Sequence, residues 1–248
     1  MGNTCQYVRL TALRTAEVAT RVGAGGVQTL VRQTRSEVTR QKIIDAAADL
    51  FISQGYGATG LSDIINRVGV TKGALYYHFD SKESLARAIV ADGAAAITKE
   101  LAGMSSASAP VFENMIHGVF AVAERVRSDQ QVRTSLYLTR ALSEACDAAS
   151  EAYDAWRQLL VAQAAQAQEQ GDLRDGLAPA AAAELILATV LGVELLSSTA
   201  SGGADLIDRL VSVWEVLLSA VTNPESLSYF KEFLARESMR HTRPALMI

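Results

Sequence analysis

Residues 61–79 read Leu-Ser-Asp-Ile-Ile-Asn-Arg-Val-Gly-Val-Thr-Lys-Gly-Ala-Leu-Tyr-Tyr-His-Phe, and they concentrate the groups able to bind nucleic acid. A short amphipathic helix, a glycine turn and a second short helix with aromatic and basic residues make a helix-turn-helix. Gly69 supplies the turn dihedral, while Ile64, Ile65, Val68, Ala74 and Leu75 provide apolar contact between the two helices. Thr71 can cap the second helix, whose positive N-terminal end then faces phosphate or groove edges. Lys72 projects from that end, where recognition helices touch base edges. Gly73, lacking a side chain, allows the backbone to approach a thymine methyl. Tyr76, Tyr77, His78 and Lys82 offer donors to phosphates, contacts that fix register without reading sequence.

Other chemistries find no footing. The three histidines, His78, His117 and His241, never pair at metal-binding helical spacing. There is no G-x-S-x-G elbow or P-loop, and the glycines at 23–26 complete no dinucleotide fingerprint. Carboxylates are numerous but scattered as on solvated helix faces. Cys5 and Cys146 have neither disulfide-framework nor metal spacing and read as free thiols of a reducing cytosol. The expectation is a non-enzyme with no cofactor and no metal.

The 248 residues suffice for one large or two modest domains with a real core. At 49% hydrophobic and net charge −4, the chain is not wholly disordered. Charge is unevenly placed: residues 1–42 carry net +5, 43–100 net −2, and the rest net −7. A basic leading segment before an acidic body suits a nucleic-acid-binding head, although a solvated basic tail has the same charge. The apolar run Leu185–Val193 lies between Glu184 and Glu194 and is shorter than the roughly 20 residues of a spanning helix. Arg9, Arg14 and Arg21 interrupt any signal-like run. A cytoplasmic protein without a membrane segment is expected.

Residues 1–31 read as a flexible basic extension. From Ser36 a helix begins, with Ile43, Ile44, Ala47, Leu50 and Phe51 at three- and four-residue spacing, and Gly55 stands where its end wants a left-handed residue. Ser81 is the N-cap of a fourth helix carrying Leu85, Ile89, Val90 and Ile97. After a small-residue linker at 103–110, helical periodicity predicts helices near 111–127, 130–146, 147–170, 179–200, 205–222 and 224–240. Pro110, Pro179 and Pro224 fall at first turns. Sustained period-two alternation is missing, so the fold is all-α.

Thr71–Phe79 followed by Ser81-Lys82-Glu83-Ser84-Leu85 resembles the signature of the TetR family of bacterial repressors, and Ile43–Phe51 with Gly55-Tyr56 matches its first helix. The resemblance covers about residues 32–100. It implies a three-helix DNA-binding head (37–97, motif about 60–79), and a helical effector-binding and dimerisation domain over 101–248. A narrower resemblance is to γ-butyrolactone receptors of filamentous bacteria. Arg32-Gln33-Thr34-Arg35 looks like the start of their first helix, with Arg32 and Arg35 as DNA contacts. Asp154-Ala155-Trp156-Arg157 resembles their pocket tryptophan region, and Trp214 a second aromatic position.

Three departures matter. Gly60 stands where the family places a capping Ser or Thr that touches phosphate, so Thr59 or Ser62 is expected to take that contact. Gly93 stands where these receptors often carry Gln near the pocket mouth, which puts the usual butyrolactone ligand in question. Residues 1–30 have no counterpart, which suggests natural initiation near Leu30 or Val31. Native protein whose intact mass includes Met1 would reject that start.

In the second half, Tyr153, Trp156, Leu159 and Leu160 form one helical stripe, and Leu185, Ala188, Thr189, Gly192 and Val193 share a face. Large aromatics opposite small residues can leave an apolar cavity with Thr189 as a polar fixing group. Trp156, Thr189, Tyr153 and Val193 are the candidate ligand residues, with His117, Phe120 and Tyr137 possible lining groups or ordinary core and surface residues. Leu206, Leu210, Val213, Leu217 and Val221 make a seam that suits either a two-fold dimer or burial within one subunit. The function implied is a dimeric repressor on a near-palindromic operator, released by a butyrolactone-like signal and controlling secondary metabolism. Two alternatives stand beside it. One is a repressor of the same fold that answers to an antibiotic or biosynthetic intermediate, the other a helical interaction module without DNA binding.

Overall fold

The computed structural model describes residues 24–103, 109–142 and 147–242, with side chains from Thr34 to His241. Cys5, Cys146, the linker residues 104–108 and the extension up to Gly23 lie outside the described residues. Ten helices follow in order among those described: α1 (Ala24–Gln54), α2 (Leu61–Val68), α3 (Lys72–His78), α4 (Lys82–Gly103), α5 (Val111–Ser128), α6 (Gln130–Ala141), α7 (Asp147–Glu169), α8 (Pro179–Ser201), α9 (Leu206–Val221) and α10 (Leu227–Thr242). The only pairing of extended backbone among them is the isolated bridge Leu173–Thr222. The all-α expectation is met.

Three boundaries differ clearly from those expected, and one is the end of α6, which stops at Ala141 with Leu142 as its C-cap where periodicity extends the helix to 146. Helix α1 begins at Ala24, twelve residues before Ser36, and takes in Gly25 and Gly26. Once a helix is nucleated, each added residue gains a hydrogen bond, so weak formers can extend it at its N-terminal end. Pro224 lies in the turn Pro224–Ser226, and α10 starts only at Leu227. Residues 223–226 close that turn through the Ser226 amide on the Asn223 carbonyl at 3.0 Å.

The chain builds two apolar cores. The first joins Ile43, Ala47 and Phe51 of α1 to Ile64 of α2, Leu75 of α3 and Leu85 and Ile89 of α4. Each such side chain, fully buried, contributes about 1.5–3 kcal/mol relative to exposure. The second core lies among α5, α7, α8, α9 and α10, around Phe112, Trp156 and Trp214. Helix α10 is fastened to α5 by Glu237, which is 1% exposed and bonds both His117 and His241.

Two helices belong to both cores. On α4, Leu85 to Val90 enter the first core, while Ile97 and Leu101 enter the second. On α6, Val132 and Leu136 face the second core and Leu138 the first. These helices touch at Gly93, where an added Cβ would collide with the Cβ and Oγ of Ser135. Ser135 Oγ also donates to the Val90 carbonyl at 3.1 Å. A Gln at position 93 therefore has no room here, which explains this departure from the receptors' pattern. Gly93→Ala is expected to destabilise by about 1–3 kcal/mol through overpacking, despite alanine's better helix propensity. Urea unfolding measures it, and unchanged stability would show that α4 and α6 can separate freely.

Helix α8 is long and apolar enough by composition to cross a membrane, with a mean hydropathy of 1.8 over an 18-residue stretch. Here it packs on α7 and α9, and its Glu194 pairs with Arg140 of α6. Of the two roles open to the Leu206–Val221 seam, the structure has burial within the chain: Leu206, Leu210, Leu217 and Val221 are all buried, with only Val213 half-buried. On these two helices the large apolar side chains left exposed are Leu185, Leu195 and Leu196 of α8 and Val216 of α9, the last 72% exposed.

Candidate DNA interface and effector cavity

Local backbone rules set the reading head. Helix α1 ends at Gly55 with φ +87°, and α2 ends at Gly69 with φ +73°, left-handed conformations that favour glycine. Thr71 Oγ1 accepts the Ala74 amide at 3.1 Å and caps α3. Ser81 Oγ accepts the Ser84 amide at 3.0 Å and caps α4. Gly60, the N-cap of α2, has no side chain to offer; instead its own amide donates to Asp63 Oδ2 at 2.8 Å.

With α3 pinned by Leu75 and Phe79, its other side is free. Thr71, Lys72, Gly73, Tyr76 and Tyr77 are exposed, Tyr77 to 78%, and His78 is half-buried against the Tyr77 ring at 5.0 Å. Lys72 Nζ lies 5.7 Å from the Tyr76 ring centroid. A Cβ added at Gly73 meets nothing within 4 Å, so no packing within the chain requires glycine there. Gly73→Ala should therefore raise helix stability, by up to about 1 kcal/mol. If the position abuts a duplex, the same change weakens DNA binding. Thermal melts paired with a binding titration test both signs, and unimpaired binding would remove the close approach.

Ser62 and Arg35 are exposed, while the side chain of Arg32 lies outside those described. Thr59 takes a different role from the phosphate contact expected of it. It is 1% exposed, and its hydroxyl donates to the Gly55 and Leu50 carbonyls at 2.9 and 3.3 Å. Burial removes it from any duplex and leaves Ser62 as the exposed hydroxyl on the first turn of α2. Lys82 Nζ donates to the Tyr56 and Thr59 carbonyls, both at 3.0 Å, and lies 4.4 Å from the Tyr56 ring centroid. Two of its three protons thus hold the α1–α2 turn.

The second core encloses an apolar cavity of about 50 Å³, with walls from α4 to α9. Trp156 forms one wall and is 2% exposed. Its indole N–H donates to Thr98 Oγ1 of α4 at 3.2 Å. Opposite stand Ile186, Leu187, Val190 and Leu191 of α8, with Glu194 the one ionisable group among the lining residues.

Of the other expected ligand residues, Tyr153 packs edge-on against Trp156 at 5.6 Å, and burial raises its phenol pKa, with Arg140 opposing the shift. Thr189 is half-buried and Val193 buried, but neither forms part of the cavity wall. Phe120 stacks on His241 at 5.6 Å, and His117 bonds Glu237, so both belong to the α5–α10 contact. Tyr137 reaches the head: its hydroxyl accepts the Tyr56 amide at 3.3 Å. The cavity thus meets the opposite face of α8 from the one expected. An all-round apolar helix has no polar side to reveal its orientation.

Head and cavity are mechanically joined. From α6, Gln130 Nε2 donates to Asp49 of α1 at 2.6 Å, Gln131 bonds Asp45, and Thr134 Oγ1 lies 3.4 Å from the Ala48 carbonyl. The same helix lines the cavity with Leu136 and carries Arg140, the partner of Glu194. These joints left no periodic trace in the sequence. Glu194 did leave one, as a lone carboxylate between Val193 and Leu195-Leu196.

Comparison with known proteins agrees with this architecture. Residues 43–89 match the family described as bacterial regulatory proteins, tetR family. The A-factor receptor protein of Streptomyces griseus is 30% identical over 204 residues, covering 82% of this chain and 70% of that protein. A solved γ-butyrolactone receptor (ArpA-like protein) superposes with a TM-score of 0.73 at 27% identity, covering 83% of this chain and 99% of that one. The TetR family protein CprB from Streptomyces coelicolor, in complex with its biological operator sequence, has a TM-score of 0.70 at 27% identity, covering 83% and 99%. The chain belongs to the tetR family of bacterial regulatory proteins and is a transcriptional regulator. Within that family it resembles the γ-butyrolactone receptors.

Proposed function

We propose that this regulator is a dimeric repressor of a near-palindromic operator, released when a small signalling molecule of the butyrolactone type occupies the cavity beside Trp156. The observation that carries the reading is the sharing of α4 and α6 between the core beneath the recognition helix and the walls of the cavity. A cavity of about 50 Å³ falls far short of the roughly 300–1,000 Å³ of a small-molecule site. A ligand must therefore widen the bundle, and it favours the widened state by its differential affinity. Spreading α4 and α6 from the other walls re-aims the heads. Dimer heads read successive major grooves only about 34–36 Å apart.

The open apolar surface of Leu185, Leu195, Leu196 and Val216 supports pairing of two copies across α8 and α9. The resemblance to butyrolactone receptors supports control of secondary metabolism and a cytoplasmic site of action. A second reading, an antibiotic or biosynthetic intermediate as effector, is favoured by Gly93, which replaces the Gln expected at the pocket mouth and allows no larger side chain.

Gel retardation with DNA upstream of the protein's own gene tests the proposal, across a salt series. Retardation should weaken steeply with salt, since neutralised phosphates release counterions. Ligand panels then separate the effector readings. A protein that stays monomeric and ignores this DNA at low salt would be a helical interaction module instead.

A further inference from the structure

The cavity wall is apolar apart from one group, and that group fixes what polar chemistry an occupant can bring. Glu194 is 7% exposed, lines the cavity, and is held by Arg140 through Oε2. The same residue also forms part of two outer clefts of about 350 and 600 Å³, the larger reaching Ile52 of the head. It is thus the partition between the interior and open surface. A carboxylate can only accept, and it offers about four lone-pair sites, of which the Arg140 bond uses one. Hydrogen bonds to a charged acceptor in a dry site are among the stronger ones.

We propose that Glu194 is the specificity-determining residue of the effector site, and that it selects molecules joining an apolar body to a hydrogen-bond-donating head, a hydroxyl or an N–H. The body fills the space against Trp156, and the head donates to the Glu194 carboxylate while Arg140 keeps its bond. A molecule whose polar end can only accept meets lone pairs and is rejected. This rests on the cavity being the effector site and adds to it the chemistry of the head group. Arg140 stands on α6, so an occupant that loads Glu194 acts on the helix that grips the head.

Two isomers isolate the donor: 1-octanol both donates and accepts, while 1-methoxyheptane only accepts. Saturation-transfer NMR titrations of the full chain give the affinity of each. The wild type should bind the alcohol about tenfold more tightly than the ether. Glu194→Gln, which can donate as well as accept, should bring the two within about twofold. Equal affinities in the wild type, or an undiminished preference in Glu194→Gln, overturn the inference; the wild-type ratio needs no variant to fold. If equal binding still falls in Trp156→Leu, the cavity reading survives alone. Binding of neither probe, or binding indifferent to Trp156→Leu, overturns both.

Discussion

Lys72→Ala is expected to weaken operator binding by about 1–3 kcal/mol, roughly 5- to 150-fold, while leaving folding stability within about 0.5 kcal/mol. The two effects separate because of where the residue stands. Lys72 opens α3 on its exposed side, while α3 is held by Leu75 at 0% and Phe79 at 5% exposure. Removing the ammonium leaves that anchorage untouched and deletes a donor at the end of the helix that, in helix-turn-helix proteins, enters the major groove. Fluorescence anisotropy with the operator duplex and a scrambled duplex measures the change. Loss on the operator alone marks a base contact. Equal loss on both marks a phosphate contact, and unchanged affinity would exclude Lys72 from the interface.

The second large effect belongs to the cavity wall. Trp156→Ala removes a side chain that is 2% exposed and a hydrogen bond to Thr98, and should cost about 3–5 kcal/mol. That is a large share of the roughly 5–15 kcal/mol that keeps a domain folded, so unfolding is best followed in urea. Provided the protein is folded at the assay temperature, operator binding should persist and release by effector should vanish, because the head core contains no part of Trp156. Trp156→Phe keeps most of the volume and loses the indole N–H contacts to Thr98 Oγ1 and the Ala94 carbonyl, at about 1 kcal/mol for the lost bonding. It supplies a folded variant should the alanine form fail. Normal release in a folded Trp156→Ala protein, or an unshifted effector dose for release in Trp156→Phe, would move the effector elsewhere.

The head was largely legible because its instructions are local. Gly55, Gly69, Thr71 and Ser81 each govern one turn or cap through their own dihedral or the amides two or three residues on, and each does so in the structure. The start of α1 and that of α10 were misjudged, since helix ends depend on neighbouring turns as much as on residue type. Thr59 was misread for a related reason. A hydroxyl beside an N-cap can face phosphate or turn inward, and only the position of the Leu50 and Gly55 carbonyls decides.

By itself the sequence determined the all-helical class, the order of the elements, and a reading helix presenting Lys72, Gly73, Tyr76 and Tyr77. Periodicity and turn chemistry act over a few residues, and such short-range rules suffice for those features. Only the tertiary structure decided which face of α8 looks inward, that the Leu206–Val221 seam is interior, and that Glu194 is the polar member of the cavity wall. It also made α6, as well as α4, the link between cavity and head, through contacts such as Gln130–Asp49 that span some eighty residues. Such contacts depend on how whole helices pack, and a helix apolar on every side can be turned several ways without changing its pattern.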